Sequence, residues 1–428
     1  MRRFAIVPAV LIALSAPTAA QTTVVSPGNC GWLARADPLT VNVLYPDEDA
    51  VYYLAAIPGP PPGLAYRIRG EFPYGRYSSF VAYDGLPIDA VLDTDYTTTD
   101  PGAPNPFVAG SSRLDARRGY VVPLTVNPAE DDAETLFIGA GQLGVGTPAP
   151  YLLYRIYVPD RGTGFSGGVG LPQIELVAEG AELDLEADAI PCEGVREAMF
   201  EAGSPVGESL KALGFPVRLP VPVASTNSQP ATNPPTWKVQ SGLTTAVVRS
   251  VDPDTEITGG PGSNPHNQYV ASRISQAFGE VAVIRAKAPT APATQDGAAV
   301  MGSGELRYWS ICQNSTTTRF VACLIDEDVV QDDDGWFTVV LSTPANRPPS
   351  AVNWIPWGPE PDGLVLYRHM LGDDFPNSAQ AVAASPDPDA EIVTVMGDYF
   401  PCMVYCSKDQ FDLDRCGIET APPDYCRP

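Results

Sequence analysis

Arg69, Arg76 and Arg155 stand in apolar, alternating stretches of the sequence, and Arg285, Arg307 and Arg368 stand in comparable stretches further along. Four of the six adjoin a tyrosine, as Arg76-Tyr77, Tyr154-Arg155, Arg307-Tyr308 and Tyr367-Arg368. A charge buried in such a run is costly unless it is paired. Two chemistries meet that need. Each guanidinium can pair with a carboxylate, or cap carbonyls at a strand end, and so fix the fold. Alternatively the planar forks can converge with the tyrosines on a cleft that takes a carboxylate, sulfate or phosphate. The second reading makes Arg69, Arg76, Arg155, Arg285, Arg307, Arg368, Tyr154 and Tyr367 the candidate ligand-binding set, with a small anion as ligand. The first carries more weight, because positions that recur along a chain usually report fold.

Other reactive patterns are thin. Gly164-Phe165-Ser166-Gly167-Gly168 spells the G-x-S-x-G nucleophile elbow, but the elbow needs a helix after it and VGLPQIEL is not helical. His266 and His369 are the two histidines, too few for a metal site. His369 lies on an apolar strand, as core or surface histidines do, and His266 lies in a polar glycine-rich loop and is expected to be exposed. Asp326, Glu327 and Asp328, leading into Asp332, Asp333 and Asp334, form one acidic cluster, and Asp387, Asp389 and Glu391 form another; both raise calcium as a cofactor. Neither spacing matches the twelve-residue calcium loop, so solvated turns are expected and no cofactor is assigned. Trp354 and Trp357 in NWIPWG suggest sugar stacking, though tryptophan flanking a turn more often belongs to the core.

The elements that carry these residues are strands. Period-two alternation marks 65–72, 76–83, 120–126, 135–140 and 151–158, then 281–287, 307–313, 319–325, 336–342 and 364–370. Proline, glycine and aspartate clusters separate them. Helix is expected at 195–213 and, briefly, at 270–278. The two strand series also match in order: Ile68-Arg69 with Ile284-Arg285, Arg76-Tyr77-x-Ser79 with Arg307-Tyr308-x-Ser310, Gly119-Tyr120 with Gly335-Trp336, and Tyr154-Arg155 with Tyr367-Arg368. That order suggests an internal duplication. The expected fold is mainly β: two tandem antiparallel sandwich or jelly-roll domains at 28–192 and 262–428. Residues 193–261 form a helical and Pro-rich connector between them.

The termini and composition set the compartment. Arg2-Arg3, an apolar run from Phe4 to Leu14 and small residues up to Ala20 form a cleavable secretory signal over 1–20. No second long apolar run follows, so no transmembrane segment is expected in the mature chain. Cys30, Cys192, Cys312, Cys323, Cys402, Cys406, Cys416 and Cys426 then read as disulfides. Cys312 and Cys323 flank a hairpin-like loop and can face each other across two strands. The last four staple a loop-rich tail in an unassigned pairing, and Cys30 with Cys192 would tie the ends of the first domain. The precursor carries a formal charge of −25, which becomes −27 without Arg2 and Arg3. Such acidity repels nucleic acid and anionic membrane surfaces.

NWIPWG followed by LVLYRHM, its echo TLFIGAG followed by YLLYRIYVPD, and GEVAVIRAKAPTAP followed by ELRYWSICQN resemble uncharacterised secreted bacterial proteins. Those proteins carry a β-sandwich domain of unknown function. The resemblance covers about two thirds of the chain, implies a bacterial, exported β-sandwich, and carries over no catalytic residue. The expected role is a periplasmic or extracellular, non-catalytic protein that binds a ligand or an envelope component. A secreted hydrolase with a non-standard site and a structural component of the surface or matrix are the alternatives.

Overall fold

The computed structural model describes residues 31–38, 42, 45–57, 59–84, 86–127, 132–139, 151–178, 230–240, 263–316 and 319–427. The expected signal, the helix at 195–213, Cys30 and Cys192 lie outside the described residues.

Alternating side chains and frequent turns produce two β domains, each a pair of sheets. In the first, β1 (Trp32–Ala36), β2 (Ala50–Ala56), β9 (Tyr151–Tyr157), β4 (Tyr77–Asp84) and β5 (Leu86–Leu92) form sheet 1 in that spatial order. Facing it, β10 (Gln173–Ala178), β3 (Leu64–Glu71), β7 (Gly119–Thr125) and β6 (Thr97–Thr98) form sheet 2, with β8 (Leu136–Phe137) added parallel to β7. In the second domain, β11 (Trp237–Val239), β12 (Asn267–Ser275), β18 (Asp362–Met370), β14 (Tyr308–Ser315) and β15 (Phe320–Ile325) form sheet 3. Sheet 4 runs β17 (Asn353–Pro356), β16 (Trp336–Ser342), β13 (Val281–Lys287) and β19 (Cys402–Cys406), and its β16–β17 pair is again the parallel one. Sheets 1 and 3 therefore share one connectivity, as do the longer strands of sheets 2 and 4. Short helices α1 (Ala379–Ala383), α2 (Pro388–Met396) and α3 (Lys408–Asp414) follow β18 and β19. No described helix is long and apolar enough to cross a membrane.

Each core fills the space between paired sheets. Phe80, Tyr154 and Ile156 of sheet 1 meet Ile68, Tyr120 and Val122 of sheet 2. Trp309, Val365 and Tyr367 of sheet 3 meet Ile284, Phe337 and Val339 of sheet 4. Fully burying one such large side chain stabilises the fold by about 1.5–3 kcal/mol. The second domain is also stapled: Cys312–Cys323 joins opposed residues of β14 and β15, while Cys402–Cys426 and Cys406–Cys416 tie β19 to the tail.

Three expectations change. Residues 270–278 are the end of β12 and one short 3-10 turn, not a helix. Val270 and Ile274, four apart, share a face in either conformation, and pairing with β18 selects the strand. Within the expected connector, Trp237–Val239 pairs with β12 and buries its tryptophan. The alignment of Gly119-Tyr120 with Gly335-Trp336 is displaced by one residue. Tyr120 lies opposite Gly70 and Phe337 opposite Ala286, each partner directly following an Ile-Arg pair. Tyr120 thus answers to Phe337 in the core, and Trp336 turns outward against Arg285.

Candidate functional site

Period two decides which arginines reach the domain boundary. In β9 and β18 the tyrosine of each Tyr-Arg pair turns into its own core, so Tyr154 and Tyr367 are packing residues and Arg155 and Arg368 point to the opposite face. Arg155 lies opposite Tyr52 on one side and Ser79 on the other. Arg368 lies opposite Tyr269 and Ser310 in the same way. Both arginines are buried.

The segment before the second strand of each domain crosses to the other domain and lands on these faces. Asp47, just ahead of β2, accepts hydrogen bonds from Tyr308 Oη (2.6 Å) and Ser310 Oγ (2.8 Å) and an ion pair from Arg368. Tyr45 O accepts from the same guanidinium at 3.2 Å. In the reverse direction, Ser263 O accepts from Arg155 at 3.1 Å and from Tyr83 Oη. Asn264 exchanges hydrogen bonds with Tyr77 Oη. Asp47 and Asn264 even make the same turn, each taking the backbone N–H two residues on, of Asp49 and of His266. Further out, Asn42 exchanges two hydrogen bonds with the backbone of Phe320, and Glu48 accepts the Cys323 N–H at 3.0 Å.

A second exchange lies at the start of β4 and β14. Arg76 donates to both oxygens of Asp326 at 2.5 Å and to Glu327. Burial opposes the charge on Arg76, and the two acids more than offset it, holding the guanidinium above its ordinary pKa. Arg307 makes the reverse crossing, 3.8 Å from Asp93 and hydrogen-bonded to Arg76 O at 3.1 Å. Each acid also caps a backbone amide of its own domain, Asp93 that of Ser78 and Asp326 that of Trp309. Burial pushes the Asp93 carboxyl up to about 7, although Arg307 and the Ser78 N–H favour its charged form.

Arg69 and Arg285 stand elsewhere. Arg69 is buried 3.7 Å from Glu175, which also takes Arg67 at 2.5 Å. Arg285 lies on the outer side of sheet 4 between Asp332 at 2.8 Å and Glu419 at 3.5 Å. The six arginines therefore divide: four meet the inter-domain boundary and two do not. Sequence reasoning missed Asp47 and Asp93 as partners. The second was marked, because Leu92-Asp93-x-Asp95 repeats Ile325-Asp326-x-Asp328 directly after matching strands.

Ser166 sits in a turn whose glycines at 164, 167 and 168 have positive φ, and the chain continues into β10 rather than a helix. His369 is wholly buried, its Nδ1 accepting the Ala379 N–H at 3.0 Å, so its proton resides on Nε2. Burial holds it near 3. His266, expected to be exposed, is half-buried with Nδ1 2.7 Å from Tyr77 Oη. Burial, then Arg155, holds its pKa at about 4. Glu327 also accepts the backbone N–H groups of Thr294 and Gln295, and Asp332 those of Asp334 and Trp336. Asp389 accepts from Val239 N and faces Lys238, and Asp387 precedes α2. Trp357 is in the core, and Trp354 is bonded to Ser342 Oγ beneath Arg347. Among the described residues, Asp47 and the sulfurs of Cys312 and Cys323 are the one close group of ligand-type atoms, and those sulfurs are bonded to each other.

No family model and no curated protein matches the chain. Among solved structures it is similar to a putative uncharacterized protein from Burkholderia cenocepacia, at 15% identity and a TM-score of 0.46, over 81% of this chain and 77% of that one. It is also similar to a protein from Vibrio parahaemolyticus, at 13% identity and a TM-score of 0.38, over 83% and 90% of the two chains.

Proposed function

We propose that the chain is an exported, non-catalytic protein of the periplasm or extracellular space, made of two copies of one sandwich unit (about 28–192 and 262–428). It acts by engaging a component of the envelope or its surroundings. The observation that carries this reading is where the reactive side chains are spent. Arg76, Arg307 and Arg368 each face a carboxylate of the opposite domain, and His266 and Tyr77 face each other across the same boundary. Such an arrangement serves a persistent scaffold, and the three disulfides among the described residues suit an oxidising compartment. The shared connectivity of sheets 1 and 3 supports the two-copy reading.

Screening ester and glycoside substrates tests the non-catalytic reading, which expects no turnover. Turnover that disappears in Ser166→Ala or His266→Gln would replace it with a hydrolase. Fractionation of cells expressing the full chain is expected to place a product beginning at Gln21 outside the cytoplasm. Thermal-shift titration with sulfate, phosphate and small carboxylates addresses the arginine set. Stabilisation by one of them that is lost in Arg285→Ala would make that arginine a ligand site instead of a scaffold residue.

A further inference from the structure

We infer that the two β domains are obligate partners through an isologous-type interface: the chain is a dimer carried on one thread, and its halves remain bound when the thread is cut.

In an isologous interface, residue i of one half meets residue j of the other, and j of the first meets i of the second. The boundary has that form at independent positions. Tyr77 bonds Asn264, and its counterpart Tyr308 bonds Asp47, the counterpart of Asn264. Arg76 crosses to Asp326, and Arg307 crosses back to Asp93. Tyr77, Tyr157, Tyr308 and Met370 pack together in one cluster between these pairs. Even the strand exits agree: Val158 and Leu371 both take positive φ, and their N–H groups bond Asp49 O and His266 O. Backbone strain of this kind persists where surrounding structure enforces it.

Separation would strip each half of groups it cannot replace. Arg368 would lose Asp47, and Arg76 would lose both of its acids. A further arm, outside the two-fold relation, deepens the dependence. Met301 of the second domain is buried in the core of the first, and the 299–301 backbone pairs with that of 110–113. Arg113 extends the same seam, donating to Ala298 O at 2.8 Å.

The test introduces a protease site between residues 193 and 229 of the full-length chain and cleaves the folded protein. None of the three described disulfides crosses that cut, since all lie between residues 312 and 426. Native mass spectrometry and size exclusion over a dilution series are expected to show one species holding both fragments. Asp47→Ala and Arg307→Ala are each expected to weaken the association of the cut halves by about thirtyfold or more. Arg285→Ala, away from the boundary, is expected to leave it unchanged. Near-UV circular dichroism of the uncut variants checks that they fold, and for a variant that does not, the cut wild type decides alone. Fragments that separate or precipitate would overturn the inference, as would folded Asp47→Ala and Arg307→Ala proteins whose halves hold as tightly as wild type.

Discussion

Arg76 in the first domain grips both carboxylate oxygens of Asp326 in the second at 2.5 Å, 250 residues away in sequence. Both groups are buried, so neither can recover hydration if the other is removed. Arg76→Met is expected to destabilise the protein by about 3–5 kcal/mol, the usual cost of leaving a buried ion unpaired. Arg76→Met combined with Asp326→Leu is expected to cost less than the sum of the single changes. Urea denaturation of the four proteins checks this, and strict additivity would mean the pair is not coupled.

Cys312 and Cys323 sit opposite one another where Asp47 and Glu48 of the first domain dock. Cys312→Ser with Cys323→Ser is expected to lower stability by about 2–4 kcal/mol. Because the staple underlies the docking loop, hydrogen exchange is expected to quicken at the Cys323 and Phe320 amides first. Uniform quickening across the second domain would contradict that placement.

The two histidines predict a loss of stability in acid. His266 and His369 are held at about 4 and about 3, below the ordinary 6.5. Between those values the unfolded chain binds more protons than the folded one, so stability rises with pH. Their contribution is complete above about 6.5 and is lost as pH falls through the folded values. His266→Gln is expected to lose less stability than wild type between about pH 7 and pH 5. Parallel denaturation profiles would show that His266 is not the titrating group.

Asp93 acts with the opposite sign. Its folded carboxyl is raised from 3.8 to about 7, so the folded state binds the extra proton in that interval. Its contribution is full below about 3.8 and fades as pH rises through about 7. Asp93→Asn removes the titration, so its stability relative to wild type is expected to improve as pH rises from about 4 to about 7. A difference between the two proteins that stays constant with pH would refute this.

Gly167, rather than Ser166, is the constrained residue of the glycine loop. Its φ is +64°, and a Cβ there would lie 2.6 Å from Pro73 Cβ and 3.0 Å from the Tyr74 backbone. Gly167→Ala is expected to cost about 1–3 kcal/mol by thermal denaturation, with Ser166→Ala close to neutral. Equal effects would assign the loop's importance to the serine instead.

The sequence by itself determined the strands. Alternation along RYSSFVAY, YLLYRIYV and LVLYRHM sets which side chains face inward, because successive residues of a strand point to opposite faces. It thereby turned Tyr154 and Tyr367 inward and Arg155 and Arg368 outward, and the hairpin spacing brought Cys312 to Cys323. It could not choose between strand and helix at Val270 and Ile274, whose spacing fits both periods. Nor could it show what the outward arginines meet. Asp47 and Arg368 are 321 residues apart, and their encounter depends on how two finished sandwiches dock. Only the tertiary structure decided that Arg76 and Arg307 reach in opposite directions across one boundary. A local pattern fixes the face on which a charge emerges, whereas its partner is fixed by a surface that exists only after both domains have folded.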